Sequence, residues 1–252
     1  MRRIIKNVKF NSIASIRPKL KISSDEIIQK APKKERIYLQ KTAKNIGVIY
    51  RNILGEKETY EELASKCCRT IMKKQKIDVS TVKSIVSVSQ TSSNRMPSSA
   101  RKIHGMLDLD HECIAFDIND GCSGYIHSVF LSSLLLKEIG DKSIIVAGDV
   151  ISNHLSKEDF SNQLLMGDGI TCTVLEKAKD GEDIYFILGT NGKDAEKIRL
   201  NNTKGNNFEM DGFGVFAFTM RILPDLLNSS LDFANIRKEQ IQLYYLHQAN
   251  KM

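Results

Sequence analysis

Two residues that could share one nucleophilic reaction, Cys122 and His247, lie far apart in the chain. Cys122 follows the alternating apolar run 114–118 and a polar turn, and it precedes an apolar segment at helical spacing from Tyr125 onward. This pattern predicts a thiol on the first turn of a buried helix, where free amides and the helix dipole favour the thiolate. The alternative is an inert structural thiol, because free cysteine is among the most buried residue types.

His247 directly follows residues 241–246, which the pattern predicts to be a strand. Ligands and catalytic groups of α/β proteins gather at the carboxyl ends of strands, although a histidine there can equally serve as a structural hydrogen-bonding group. Taken together, Cys122 and His247 each lie at a predicted strand-to-helix junction. This arrangement suggests a Cys/His nucleophilic pair that the fold brings together.

The elements that must position these residues alternate between strand and helix, which favours a layered α/β fold with a mixed or parallel sheet. Thr59 with Glu62 three residues later is a capping-box pattern, and it predicts a helix that runs to Lys74. A second helix start is predicted at residues 23–26. The other predicted strands are 4–10, 82–88, 143–150, 170–175 and 184–188, and the other predicted helices are 97–106 and 210–234.

Composition excludes several classes of protein. The 252 residues are 41% apolar and 27% charged, which is enough for one large core or two small domains. The chain has no apolar run of the roughly 20 residues that a membrane span needs, and its N-terminal apolar patch is too short for a signal peptide. We therefore predict a cytoplasmic protein without a membrane partner.

The net charge of +7 comes from Lys and Arg residues spread over the whole chain. Nucleic-acid binding usually needs a clustered basic patch, so no nucleic-acid partner is predicted. A diffuse positive surface would suit an acidic protein partner. The five cysteines and five histidines show no metal-ligand spacing, so we predict no metal site. Four cysteines are expected to be buried structural thiols, and four histidines to be surface or helix residues: Cys67, Cys68, Cys113 and Cys172; His104, His111, His127 and His154.

Five motifs in a fixed order give the chain a specific resemblance to the β-ketoacyl-acyl-carrier-protein synthase III family. They are Ala115 to Tyr125 around Cys122, Gly148-Asp149-Val150, Met166-Gly167-Asp168-Gly169, Met210-Asp211-Gly212 with Val215-Phe216, and His247-Gln248-Ala249-Asn250. Their order and spacing match the family over nearly the whole chain. The resemblance implies a thiolase-like α/β fold with two similar mixed-sheet halves. Residues 1–180 would form the half with the nucleophilic cysteine, and residues 181–252 an incomplete second half.

The resemblance also implies an acyltransferase that condenses acyl thioesters. Cys122 would accept the primer acyl group, and His247 would assist decarboxylation of malonyl on acyl carrier protein, so both are predicted to be catalytic. Acyl-CoA or acyl-ACP and malonyl-ACP would be substrates, with no bound cofactor, and the chain would work as a homodimer that meets acyl carrier protein. The expected substrate-pocket residues are Met96, Gly167, Asp168, Gly169, Phe216 and Asn250.

The chain also departs from the family pattern. It stops at Met252, before the Gly-Asn-Thr-Ser type motif that holds the family's third catalytic residue. We expect either a piece of a longer protein or a homologue that dimerises or binds an acyl carrier without completing condensation; a simple acyltransferase is the other alternative. Lys41, Asn45 and Phe160 stand where coenzyme A-handling members carry tryptophan and arginine. A carrier-bound primer or an unusual acyl-CoA is therefore expected rather than acetyl-CoA.

Overall fold

The structure is a computed structural model that describes residues 1–179, 181, 183–200 and 208–249. Its strands are β1 Arg2–Ile5, β2 Val8–Ile16, β3 Leu20–Ser23, β4 Tyr50–Ile53, β5 Val82–Val88, β6 Ile114–Ile118, β7 Lys142–Asp149, β8 Gly169–Lys177, β9 Ile184–Ile187, β10 Ile198–Leu200 and β11 Phe208–Met210. Its α-helices are α1 Ser24–Lys30, α2 Arg36–Ile46, α3 Tyr60–Gln75, α4 Ser99–Met106, α5 Gly124–Ile139, α6 Phe160–Leu165 and α7 Gly212–Ala234. Short 3₁₀ helices lie at Lys33–Glu35, Val79–Thr81, Ile151–His154, Gly192–Lys197 and Lys238–Gln240.

The larger of two compact units contains the described residues from Asn7 onward to position 181. Its centre is a five-stranded sheet in the order β2-β8-β7-β5-β6. Strand β5 pairs in parallel with β6 and β7, whereas β8 pairs antiparallel with β7 and β2. The predicted α/β class with a mixed sheet is confirmed.

Helices cover both faces of this sheet. On β8, Thr173 hydrogen-bonds to Tyr125 of α5, while the preceding residue, Cys172, lies in the core that includes α3. Because successive residues of a strand point to opposite faces, α3 and α5 lie on opposite sides of the sheet. The core on the α3 side also takes in α4; its members include Tyr60, Leu63, Cys67, Cys68, Ile71, Ile85, Ile103, Ile144, Val146 and Val174.

Two predicted helix starts in this unit are confirmed in detail. The Thr59 side chain accepts a hydrogen bond from the Glu62 amide, and the Glu62 carboxylate accepts one from the Thr59 amide. Ser23 and Glu26 form the same reciprocal arrangement at the start of α1. Each capping box satisfies amides that a helix N-terminus otherwise leaves without partners.

The smaller unit consists of residues 1–6 with the described residues from 183 to 248. Strand β1 pairs antiparallel with β9, and β10 pairs antiparallel with β11. The Phe233 ring of α7 packs edge-on against Tyr185, with the ring centroids 5.6 Å apart. In the part of the chain that the structure describes, no helix is both long and apolar enough to cross a membrane. The predicted division at residue 180 stays a prediction.

Two sequence predictions about strands are wrong. Residues 4–10 form parts of two strands, because the backbone turns at Asn7, whose φ of 64° lies in the left-handed region. Residues 241–246 form no strand, and Leu243 and Tyr245 are exposed. A strand requires a hydrogen-bonded neighbour, and within the described residues none pairs with this segment.

Candidate active site

Three parallel strands of the larger unit end at one edge of the sheet. Strands β6, β5 and β7 end at Ile118, Val88 and Asp149. The antiparallel strand β8 begins at the same edge, since Gly169 pairs with Asp149. In α/β sheets, side chains at the carboxyl ends of parallel strands are placed to meet ligands. Cys122 lies in the connection that leaves this edge after β6.

Cys122 occupies a tight turn between β6 and α5. The Gly124 amide donates to the Gly121 carbonyl at 2.9 Å, and Ser123 is the N-cap residue of the helix. Cys122 therefore precedes the helix, and the predicted position on its first turn is wrong by two residues. The cause is local: the carboxylate of Asp120 accepts the Gly121 amide at 2.8 Å and stabilises a turn in place of another helical residue.

The Cys122 turn opens onto a pocket of about 380 Å³. One wall is the turn itself, together with Tyr125 at the start of α5, and the rest comes from the sheet. The Tyr125 hydroxyl lies 3.1 Å from the Thr173 hydroxyl and joins the two walls. The lining residues are Ile13, Val88, Asp120, Gly121, Cys122, Tyr125, Ala147, Gly148, Asp149, Thr171 and Thr173.

The surroundings of the thiol disfavour its ionisation. The pKa of Cys122 is raised above its ordinary value, chiefly because neighbouring protein atoms displace part of the water around the sulfur, although the residue as a whole is exposed. Hydrogen bonding to its own backbone opposes that rise, while the charges of Asp149 and Asp120 add to it. The direction of this shift is opposite to the lowered pKa that is expected of a thiol at the start of a helix.

Asp149 is a second acidic group in the pocket, and four hydrogen bonds hold it in place. Its Oδ1 accepts the hydroxyl of Ser89 at 3.0 Å, the Gln90 amide at 2.8 Å, and both the amide and the hydroxyl of Thr91 at 3.1 and 2.8 Å. These donors all follow β5, so the carboxylate ties the end of β5 to the end of β7. This tie fixes the edge of the sheet that faces Cys122.

Several known proteins are similar to this chain in sequence. The family model described as 3-oxoacyl-[acyl-carrier-protein (ACP)] synthase III matches residues 116–192, a segment that contains Cys122, Asp149 and β8. A β-ketoacyl-[acyl-carrier-protein] synthase III of Streptococcus uberis is 27% identical over 81% of the chain and 66% of its own length. The protein of the same name from Neisseria gonorrhoeae is 24% identical over 96% of the chain and 77% of its own length.

A solved structure gives the same result for the fold. The crystal structure of a 3-oxoacyl-(acyl-carrier protein) synthase from Burkholderia xenovorans superposes with a TM-score of 0.93 at 25% identity, over all of this chain and 76% of that one. The chain is therefore similar to 3-oxoacyl-ACP synthase III proteins in both sequence and fold. Its fold is thiolase-like, as the ordered motifs predict. The chain spans 66% to 77% of the length of these two curated relatives.

The family's glycine turn, Gly167-Asp168-Gly169, lies next to the pocket strand β8. Asp168 is buried, and its carboxylate accepts the Leu54 amide at 2.6 Å and the amide and hydroxyl of Ser152 at 2.9 and 2.5 Å. The Asp168 amide donates to the Asn52 carbonyl at 2.8 Å. The turn therefore joins the end of β4 to the 3₁₀ helix after β7, and Gly169 begins the strand that supplies two pocket threonines.

Met96, the predicted acyl-pocket residue of the synthase III pattern, lies on an exposed loop of the larger unit, with 87% of its surface accessible. The buried carboxylate of Glu61 accepts hydrogen bonds from the hydroxyls of Ser93 and Ser99 at 2.7 and 2.9 Å. These two serines stand on either side of Met96. The loop is thus anchored at both ends while Met96 itself stays free to contact another group.

His247 and Phe216 belong to the smaller unit, and Cys122 belongs to the larger one. His247 lies on the exposed, extended segment that was predicted to be a strand, and Phe216 is an exposed residue of α7. Asn250 lies outside the described residues. The pairing of His247 with Cys122 and the pocket roles of Phe216 and Asn250 stay predictions of the synthase III resemblance.

The other four cysteines are buried, as predicted, and Cys122 is the exposed one. Within the described part of the chain, no group of three or more His, Cys, Asp or Glu residues could hold a metal ion. Sequence reasoning missed the roles of Asp120, Asp149 and the threonines of β8. Asp120 was detectable as an acidic side chain two positions from the thiol; the threonines were not, because nothing local pairs them with α5.

Proposed function

We propose that the chain accepts an acyl group on Cys122 from an acyl thioester and condenses it with malonyl carried on acyl carrier protein. The observation that carries this proposal is the exposed Cys122, which faces a pocket at the carboxyl edge of the parallel strands and at the start of α5. The match of residues 116–192 to the 3-oxoacyl-[acyl-carrier-protein (ACP)] synthase III model supports the reaction class.

In the first step, the Cys122 sulfur attacks the thioester carbonyl, and the bond to the carrier's sulfur breaks. Because the pKa of the Cys122 thiol is raised, its proton leaves as the attack proceeds and ends on the departing carrier thiolate. The oxyanion that forms in between lies near the first amides of α5. Helix N-terminal amides lack intrahelical partners and can donate to such an oxygen.

In the second step, malonyl on its carrier loses carbon dioxide, and the resulting carbanion attacks the acyl-Cys122 thioester. A new carbon–carbon bond forms, and the Cys122 sulfur leaves and recovers a proton. We assign His247 the role of hydrogen-bond donor to the enolate oxygen, which a neutral imidazole can fill. Met96, Phe216 and the Gly167–Gly169 turn are proposed to shape the acyl site, with a homodimer as the working form.

The first step can be tested by intact-protein mass spectrometry with a panel of acyl-CoA and acyl-pantetheine thioesters. We expect the mass to increase by one acyl group, with the label on the Cys122 peptide, and we expect Cys122→Ala to abolish it. Cys113→Ala is the matched control, because Cys113 is buried outside the pocket and should leave the adduct intact. An adduct that survives Cys122→Ala would refute the assignment.

The second step is tested by adding malonyl-acyl carrier protein to the acylated protein. Release of a 3-oxoacyl product that depends on His247 would support condensation. Discharge of the acyl group to the carrier without carbon–carbon bond formation would instead identify a simple acyltransferase.

A further inference from the structure

The carboxylate of Asp120 contacts the residues on both sides of Cys122. Its Oδ1 accepts the Gly121 amide at 2.8 Å, and the Ser123 hydroxyl donates more weakly to the same carboxylate at 3.4 and 3.3 Å. Gly121 precedes the thiol residue and Ser123 follows it. One side chain therefore restrains the whole turn that presents the sulfur.

Asp120 is itself held by His127, which lies on the first turn of α5. The Nδ1 atom of His127 is 2.7 Å from Oδ2 of Asp120, and since a carboxylate can only accept, Nδ1 carries the hydrogen. Both side chains are about one-third exposed, with relative accessibilities of 32%. The turn before the helix is thus tied to the helix itself.

Gly124 leaves the room that this arrangement needs. A Cβ atom at position 124 would lie 3.0 Å from the Cβ of Asp120 and 2.6 Å from Cγ1 of Val88. Any larger residue there would push Asp120 away from the turn. The absence of a side chain at Gly124 and the carboxylate at Asp120 are therefore parts of one local structure.

The carboxylate of Asp120 also affects the pKa of the Cys122 thiol, and this second effect can be measured. The negative charge of Asp120 helps to raise the pKa of the Cys122 thiol, so a neutral acceptor in its place would leave more thiolate. Geometry and charge at position 120 therefore act in opposite directions on the reactivity of Cys122, and two substitutions can separate them.

We propose that Asp120 is a positioning residue whose carboxylate, anchored by His127, fixes the Gly121–Ser123 turn so that the Cys122 sulfur faces the pocket. The inference deepens the proposed function and rests on it for the acyl chemistry. The part of the inference that concerns the geometry of the turn is independent of the proposed function, because alkylation of the thiol tests that geometry without an acyl group.

The experiment compares Asp120→Ala and Asp120→Asn with the wild-type protein by two measurements on Cys122. One is the rate of acyl adduct formation in a single turnover, and the other is the pH dependence of alkylation by iodoacetamide. Asp110→Asn is the matched control, because Asp110 caps a turn at the other end of β6 through the Glu112 amide at 2.9 Å. It should behave like the wild-type protein in both measurements.

We expect Asp120→Ala to slow acylation by about tenfold or more, since small misplacements of a reacting atom have effects of that order. Asp120→Asn should recover much of this loss, because its amide oxygen can still accept the Gly121 amide. The asparagine variant should also move the midpoint of alkylation to lower pH, because the charge is gone. If Asp120 only stabilised the folded protein, the alanine and asparagine variants would not differ in this way.

Wild-type acylation rates in Asp120→Ala would overturn the proposal. So would equal slowing in both variants with an unchanged alkylation midpoint. If the wild-type protein forms no acyl adduct, the proposed function fails separately. The alkylation rates at high pH, where the thiol is ionised in every variant, then decide the role of Asp120: a slower rate in Asp120→Ala that Asp120→Asn restores supports it, and equal rates in all variants refute it.

Discussion

At the scale of single residues, the chemistry of this chain depends on one thiol and two acidic side chains. Cys122 is exposed to the pocket, and Asp120 and Asp149 lie around it. Both carboxylates have structural hydrogen bonds to satisfy: one holds the Cys122 turn, and the other joins the ends of β5 and β7. Their charges nevertheless reach the sulfur and oppose its ionisation. The two carboxylates therefore fix the geometry of the site and at the same time raise the pKa of its thiol.

This balance predicts the alkylation behaviour of the wild-type protein. Iodoacetamide should label Cys122 first, because the other four cysteines are buried. Since the pKa of Cys122 is raised, the protonated thiol dominates at neutral pH, and the rate should keep rising through about pH 9. Peptide mass spectrometry over a pH series measures this directly. A rate that levels off below about pH 7 would show an activated thiolate instead.

At the scale of elements, the pocket depends on how closely β7 and β8 approach each other. Gly148 of β7 pairs with Ile170 of β8 and lines the pocket. A Cβ atom at position 148 would overlap the Gly169 carbonyl oxygen and lie 2.7 Å from the Cα of Ile170. Both neighbours are backbone atoms of a central strand, so neither can move without disturbing the sheet.

We therefore predict that Gly148→Ala destabilises the protein by about 1–3 kcal/mol, the usual cost of overpacking, and slows acylation of Cys122. Gly105→Ala is the matched control. Position 105 lies in α4 with no atom within 4 Å of an added Cβ, so alanine should be neutral or stabilising by up to about 1 kcal/mol. Urea unfolding of both variants gives the comparison. Equal stability of the two would contradict the close approach.

Most of these elements are predicted well from the sequence, because the residues that mark them, such as helix caps, are close to one another in the chain. The capping boxes at Thr59 and Ser23 are confirmed residue by residue. Residues 241–246 show the limit: alternating apolar side chains fit a strand, but a strand also needs a paired neighbour, which a single segment cannot specify. The start of α5 shows a second limit of sequence prediction, because the side chain of Asp120 keeps Cys122 out of the helix.

At the scale of the whole molecule, buried thiols make the stability of the folded state depend on pH. Burial raises the pKa of Cys113 to about 11 and that of Cys67 to about 12, with Cys172 adding to the effect at Cys67. In the unfolded chain these thiols ionise near their ordinary pKa of about 8.5. Above that pH the unfolded state releases protons that the folded state retains, so unfolding becomes easier.

We predict that this part of the stability is complete below about pH 8.5 and is lost progressively as the pH rises towards the folded-state pKa values. Urea midpoints measured at about pH 8 and pH 10 should fall with pH. Cys67→Ala should lower the midpoint at both pH values but flatten its pH dependence, because one of the coupled protons is removed. A pH dependence identical to that of the wild-type protein would show that Cys67 does not contribute.

The sequence by itself determined the α/β class, the main helices and strands, the nucleophile candidate and the resemblance to synthase III proteins, because periodicity, capping residues and ordered motifs can be seen in the order of the residues. Only the tertiary structure decided what surrounds the sulfur. Asp149, Thr171 and Thr173 lie 27 or more positions after Cys122 in the chain, and sheet pairing places them at one pocket. Because a pKa depends on burial and on charges close in space, the raised pKa of Cys122 follows from the fold and not from the helix that the sequence predicts.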